Sequence, residues 1–300
     1  MANKKRWGKK FIDQRTWQEI DKKYINRGEF LVNPRFLETW NKEIEQLNKR
    51  KVGEPYLYPD SMIEFAGYFH ARGFNYRACE GILKGLSGNY KYQFPVISFS
   101  QFYRRLNQMD FEFDIKAKEM ICGVDGTGEK SSQGGEWRKE KHGGIKDWIK
   151  VTILGNTKGM IVDIRIGNSK QNEKSAARGL VRQHHKSIKK IHGDGAHENK
   201  AMFNLCESYN IETAIKIRKN ARTRSKGSPR RREEVVEYKR KGYRQWANEK
   251  EYGQRWISTE GIFSAKKRIF GETVRAKKKR SAYKEVRRKY WFYNKLQEIT

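Results

Sequence analysis

Apolar positions recur at helical spacing in FLETWNKEIEQL and again in SMIEFAGYFHARGF, which predicts two amphipathic helices, with Asp60 and Ser61 standing where caps of the second belong. NYRACEGILKGL continues the pattern. After the break at Gly88–Pro95 so does SFSQFYRRLNQM, for which Ser98 or Ser100 is the expected cap. Residues 1 to about 115 therefore read as all-helical. From Met120 the period changes. MICGVDG is a short apolar run that ends at an acidic residue, and KDWIKVTILGNTKGMIVDIRIGN reads as a hairpin turning at Asn156–Gly159. NEKSAARGLVRQHHK follows as a surface helix, SIKKIHGDGA as a strand, KAMFNLCESYN as a helix and IETAIKI as a strand. RWISTEGIFSAKKRIFGE reads as a helix, followed by a basic tail segment and the apolar-aromatic YWFYNKL. The expectation is an α/β mixed sheet with flanking helices over 116–300, preceded by a helical region over 1–115. A basic insertion is expected at about 218–250. Between Lys216 and Lys250 there are fourteen Lys or Arg against four Glu.

Charge changes the picture next. Sixty-six Lys and Arg against thirty-five Asp and Glu give a formal net charge of +31. A domain balanced for solubility alone carries a net charge of about 2–8. A polyanionic partner is implied, and nucleic acid comes first because neutralising phosphates releases condensed counterions. An acidic membrane surface would need an amphipathic or lipidated anchor, and none is seen. VTIL and MIV are far too short to cross a bilayer, and the basic start lacks an apolar run of the signal-peptide kind. Cys79, Cys122 and Cys206 are scattered, with no CxxC spacing, and read as reduced core thiols of a cytoplasmic chain. No pair of histidines has the i, i+4 spacing of a helical zinc site.

Three acids carry the candidate chemistry. Asp125 ends a strand-like run and is followed by GTG, while Asp194 ends another and lies between Gly193 and Gly195. Flanking glycines let a metal or phosphate approach the backbone, although an Asp that merely begins a turn fits the same pattern. Glu260 shares a predicted helix face with Ser264 and with Lys267 two turns on, and Ile262, Phe263, Ile269 and Phe270 form the core-facing side. A carboxylate and a lysine so placed could serve a metal and a phosphate, or form a surface charge stripe. Metal-assisted phosphoryl transfer needs hard oxygen ligands drawn from several chain segments, and these three acids supply them.

The segments CGVDGTGEKSSQGGEWR, IHGDGAHEN and YGQRWISTEGIFSAKKRIFGE resemble the catalytic blocks of DDE transposases of bacterial and archaeal insertion sequences. EPYLYPDSMIEFAGYFHARGFNYRACEGILKGL resembles the helical region that precedes them. The resemblance runs from about residue 25 to 290. It implies a ribonuclease H-like fold in which Asp125, Asp194 and Glu260 bind two Mg²⁺ ions, with Mn²⁺ as a substitute, and catalyse strand cleavage and strand transfer. It also implies double-stranded DNA partners (transposon terminal inverted repeats and target DNA) and a homodimer on DNA. A cytoplasmic protein associated with the nucleoid when DNA-bound follows from it. The family's tyrosine, arginine and lysine around the glutamate fall on Tyr252, Arg255 and Lys267, as DNA-contacting residues. Two departures stand out. Arg255 precedes Glu260 by five residues where many relatives have four, a rotation of about 140° on an ideal helix. It reaches the Glu260 face only if the helix begins after it, with Ser258 or Thr259 as the cap. AHE follows Asp194 where AYD is usual, which makes His197 and Glu198 second-tier candidates.

SFSQFYRRLNQM could serve as a recognition helix, presenting Gln101, Arg104, Arg105 and Gln108 to base edges, or could belong to a trihelical packing or dimerisation unit. The runs KIRKNARTRSKGSPRRR and VRAKKKRSAYKEVRRK suit phosphate contact. Trp137 could stack on an unpaired base, but a half-buried packing role is the preferred reading. Two other functions fit a basic chain with this acid set: a structure-specific nuclease on the same fold, and a non-catalytic DNA-binding relic of a transposase.

Overall fold

The computed structural model describes residues 16–89, 93–131, 148–224 and 227–299, so Trp137 and His142 lie outside the described residues. The chain forms two compact units, Met1–Phe65 with Leu296–Thr300, and Ala66–Lys295.

In the first unit lie α1 (Trp17–Val32), α2 (Phe36–Asn48) and the start of α3 (Asp60–Arg72). Phe36 is buried with its ring 5.3 Å from that of Phe65, and Arg27 Nε donates to the Leu296 carbonyl at 2.7 Å. The backbone N–H of Ser61, one of the first free donors of α3, donates to Glu43 Oε2 at 3.1 Å. A carboxylate from α2 thus supplies part of the capping that the sequence suggested for Asp60 and Ser61.

The second unit continues through α3, α4 (Tyr76–Asn89) and α5 (Phe99–Gln108), and Ser98 caps α5 by accepting from the Gln101 N–H. Its sheet comprises β1 (Met120–Ser131), β2 (Trp148–Asn156), β3 (Ile161–Gly167), β4 (Ile188–Gly193), β5 (Glu212–Ile215) and β6 (Thr273–Val274). The strand order is β3-β2-β1-β4-β5, with β6 on β1. The first three strands are antiparallel, and β4 and β5 run parallel to β1. This is the ribonuclease H-like mixed sheet that the resemblance implies. The helices are α6 (Glu173–His184), α7 (Lys200–Ser208), α8 (Pro229–Glu249), α9 (Arg255–Ser258), α10 (Glu260–Phe270) and α11 (Lys279–Glu298).

The two faces of β1 explain the layering, because side chains alternate along a strand. Cys122 and Val124 join a buried cluster with Ala177, Leu180 and Val181 of α6 and Met202 and Phe203 of α7. On the other face, Gly123 meets the α9–α10 junction and Glu129 meets Lys266 of α10. α11 covers β3 there through Asn294, whose side chain pairs with both backbone groups of Ile161. α3 and α5 pack so closely that a Cβ on Gly67 would lie 2.8 Å from Leu106, and Tyr68 meets Phe292 of α11 edge-on at 5.7 Å.

Two sequence expectations change. First, β1 does not end at Asp125 but runs six residues further, pairing as far as Lys130 with Trp148. The glycines after Asp125 are strand glycines: a Cβ on Gly126 would fall 2.5 Å from the Glu173 carboxyl carbon, and one on Gly128 2.7 Å from the Trp148 ring. Close approach of neighbours, not a turn, requires them. Second, the segment that reads as one helix around Glu260 is two. Thr259 (φ −135°, ψ −80°) leaves helical geometry between α9 and α10.

That break is seated on a flat spot in the sheet. Gly123 and Gly155 are cross-strand partners. A Cβ on Gly123 would lie 2.3 Å from Ser258 Oγ, and one on Gly155 2.1 Å from the Ser258 carbonyl oxygen. Because a backbone atom cannot turn aside as a side chain can, Gly155→Ala should destabilise the fold by about 1–3 kcal/mol through overpacking. Chemical denaturation measures this, and an unchanged unfolding midpoint would contradict the proposed seating.

Candidate active site

Parallel register brings the two aspartates together. Val124 of β1 lies opposite Gly193 of β4, so the next residue on each strand is Asp125 and Asp194. Asp194 then turns the chain, its Oδ1 accepting from the Ala196 N–H at 2.8 Å while the His197 N–H donates to its carbonyl at 3.1 Å. Tyr252 is buried, and its hydroxyl donates to the Gly193 carbonyl at 3.3 Å, which ties the segment before α9 to the end of β4.

Glu260 is the first residue of α10, where a carboxylate is favoured by the helix dipole. Since the helix begins after Arg255, the five-residue spacing is no obstacle. The Arg255 guanidinium contacts Glu260 Oε1 at 2.5 Å and Asp125 Oδ2 at 3.5 Å. It also lies 5.6 Å from the centre of the Tyr252 ring. One cation therefore joins the first and third acids of the predicted triad, with the second acid beside the first.

Two further side chains complete the cluster. Glu173, first residue of α6, places its carboxylate over Gly126, and His197 Nε2 lies 3.6 Å from Glu173 Oε1. Asp125, Glu173 and His197 each offer a ligand atom within 4.8 Å of the others. His197 is fully buried, and neither ring nitrogen has a hydrogen-bond partner. Burial holds its pKa below the usual histidine range, which keeps the imidazole neutral at pH 7, the form that ligates metals. Burial, with the nearby Asp194 and Glu173 charges, pushes Asp125 up to about 6, against the Gly126 N–H and Arg255, which pull it down. Burial likewise pushes Tyr252 up to about 12, so its hydroxyl stays protonated.

The other predicted residues are placed differently. Lys267 pairs with Glu272 at 3.3 Å. Gln101 and Arg104 are exposed on α5, and Arg105 is half-buried beside the buried Phe102 and Leu106. Glu198 is buried and paired with Arg231 and Arg218, an arrangement that holds α8 and the β5 exit. Glu173 escaped sequence reasoning because Asn172 followed by an acid reads as an ordinary helix start, and Asn172 does cap α6. Lys266, adjacent to the predicted Lys267, was missed as well. It is wholly buried, bonded to Glu129 Oε1 at 2.5 Å, and Tyr290 donates to the same oxygen at 2.8 Å. This pair anchors α10, and with it Glu260, to β1.

Two family models, each described as a transposase DDE domain, match this chain, one over residues 25–133 and the other over 116–295. The second spans more than half of the chain, and the chain belongs to the DDE transposase family, metal-dependent enzymes that cleave and transfer DNA strands. Matches among solved structures include the simian T-cell lymphotropic virus intasome in complex with PP2A regulatory subunit B56 gamma, at 12% identity and TM-score 0.24. That match covers 52% of this chain and 52% of the other, about half the length of each. A pre-cleavage Mos1 transpososome matches at 9% identity and TM-score 0.23, covering 83% and 81%. The Mos1 mariner paired end complex with Mn matches at 10% identity and TM-score 0.24, covering 95% and 87%.

The Asp125 shift has a measurable consequence. A carboxyl whose pKa is raised on folding contributes stability that is complete below the unfolded value of about 3.9 and is lost as pH rises through about 6. The swing is about 3 kcal/mol. In the absence of divalent ions, wild-type protein should lose stability relative to Asp125→Asn between about pH 4 and pH 7. Urea denaturation across that range checks it, and parallel pH profiles for the two proteins would refute the raised pKa of the buried Asp125.

Proposed function

We propose that Asp125, Asp194 and Glu260 are the catalytic triad of this transposase and hold the divalent ions that act on transposon-end DNA. One observation supports the reading: Asp125 and Asp194 each follow one member of the paired Val124 and Gly193, and the Arg255 guanidinium contacts both Asp125 and Glu260. The donor set fits a hard divalent cation, since carboxylates dominate it and the nearby His197 nitrogens lack partners. Two Mg²⁺ ions are the proposed occupants, with Mn²⁺ as a substitute, and they would activate the attacking hydroxyl and stabilise the leaving oxygen.

The protein's own side chains divide the remaining work. Arg255 pairs with Asp125 and Glu260, and its planar fork also suits a DNA phosphate brought to the site. Tyr252, being buried, serves DNA through the position it gives Arg255. Lys267, one third exposed on α10, contacts a phosphate of the transposon end as a point charge. Residues 1–115 are assigned to DNA binding and 116–300 to chemistry. In this assignment Gln101, Arg104 and Arg105 of α5 face base edges. The basic insertion presents Lys219, Arg222, Arg224 and Lys239 around one groove, a surface suited to phosphates and not to base edges. Terminal inverted repeats and target DNA are the proposed partners, engaged by a homodimer. No helix among the described residues is long and apolar enough to cross a membrane, and a cytoplasmic, nucleoid-associated location is part of the proposal.

Each of Asp125→Asn, Asp194→Asn and Glu260→Gln should reduce metal-dependent nicking of transposon-end DNA at least about a thousandfold while leaving end binding within a few fold. A gel assay of cleavage beside a binding assay decides it, and normal cutting by any of the three would remove that residue from the triad. Strand transfer by the wild-type protein, scored in the same gels, separates a transposase from a nuclease that only cuts.

A further inference from the structure

We propose that Glu173 and His197 are metal ligands of this site, so that Asp125 is shared between the Asp194–Glu260 side and a mixed carboxylate–imidazole pocket that favours Mn²⁺ over Mg²⁺. The inference rests on the triad reading and extends it to two side chains outside the triad.

Three independent features converge on the pocket. The backbone is cut away for Glu173: at Gly126 any side chain would come within 2.5–2.8 Å of its carboxylate, so glycine there admits the acid against β1. His197 is locked by the turn that follows Asp194, through its own N–H to the Asp194 carbonyl, and its Cβ would be 3.2 Å from a Cβ on Gly193. The imidazole is then left wholly buried with both nitrogens unbonded, an unfavourable state for a polar group unless something else satisfies it.

Geometry says what that something is. Pairing with β4 ends at Val124, so past that point side chains from both faces of β1 meet, Asp125 from one and Glu173 from the other. Their ligand atoms and one from His197 lie within 4.8 Å of one another, close enough for one ion to draw them in. Glu173 is about one third exposed, which leaves an entrance from solvent on its side. Two carboxylates and an imidazole are a softer set than carboxylates and water alone. Imidazole raises affinity along the Irving–Williams order, and Mg²⁺, which seeks oxygen ligands, gains least from it.

The test uses the full-length protein without DNA, with Mn²⁺ and Mg²⁺ as the probes. Titration calorimetry should show Mn²⁺ binding weakened at least tenfold by Glu173→Gln and by His197→Gln, with a smaller loss for Mg²⁺. In the Mn²⁺-loaded wild type, pulsed electron paramagnetic resonance should show a ¹⁴N coupling that His197→Gln abolishes. Should His197→Gln fail to fold, the wild-type coupling together with Glu173→Gln, at a side chain one third exposed, still decides. If Asp125→Asn abolishes Mn²⁺ binding while Glu173→Gln leaves it unchanged and no ¹⁴N coupling is seen, the pocket is overturned and the triad stands. If Asp125→Asn, Asp194→Asn and Glu260→Gln all bind Mn²⁺ as the wild type does, the triad reading itself fails.

Discussion

Holding several carboxylates together at the end of one sheet is the constraint on which this molecule is built. Two like charges about 4 Å apart at a partly buried site repel by about 4 kcal/mol. Asp125 shows the consequence, its pKa pushed up to about 6 by burial and by neighbouring acids. Flexible elements would relieve such repulsion by moving apart. Here each acid is fixed to a rigid part: Asp125 within β1, Asp194 in the turn closing β4, Glu260 and Glu173 at the first residues of helices.

The scaffold resists that repulsion by unusual means. The α9–α10 junction rests on the paired Gly123 and Gly155, an approach that side chains would forbid. Farther along α10 a wholly buried lysine, Lys266, meets Glu129 and Tyr290. A buried ion pair is weak evidence for stability by itself, because desolvation offsets most of the attraction. Its value here is directional. Removing either partner leaves a stranded charge, so α10 has one register against β1, and the position of Glu260 follows from it.

Much of this was legible in the residue pattern. The change of period at Met120, the hairpin turning at Asn156–Gly159 and the alternation of strand and helix up to IETAIKI give the sheet and its order of elements. The charge of +31 pointed to nucleic acid, and the three spaced acids pointed to metal chemistry. What the pattern did not contain were contacts between remote residues. GTG after Asp125 looked like a turn because glycine marks turns. Its actual reasons, Glu173 over Gly126 and Trp148 over Gly128, come from segments 20 to 50 residues away, as the numbering shows. The break at Thr259 left no mark on the helical reading of RWISTEGIFSAKKRIFGE as one segment. Even so, the spacing of Arg255 had required that the helix begin after it. Glu173 gave no local sign beyond that of a helix start, and nothing in the residues around Lys266 marks it as buried.

A cation shared by acids from β1, the β4 turn and α10 is the claim to test directly. Crystals of the full-length protein soaked in Mn²⁺ and measured at a wavelength where manganese scatters anomalously would locate the ion. The account predicts an anomalous peak about 2.1 Å from carboxylate oxygens of Asp125 and Asp194 or Glu260, with the Arg255 guanidinium displaced from between them. Bound manganese elsewhere, with Arg255 still bridging Asp125 and Glu260, would contradict it.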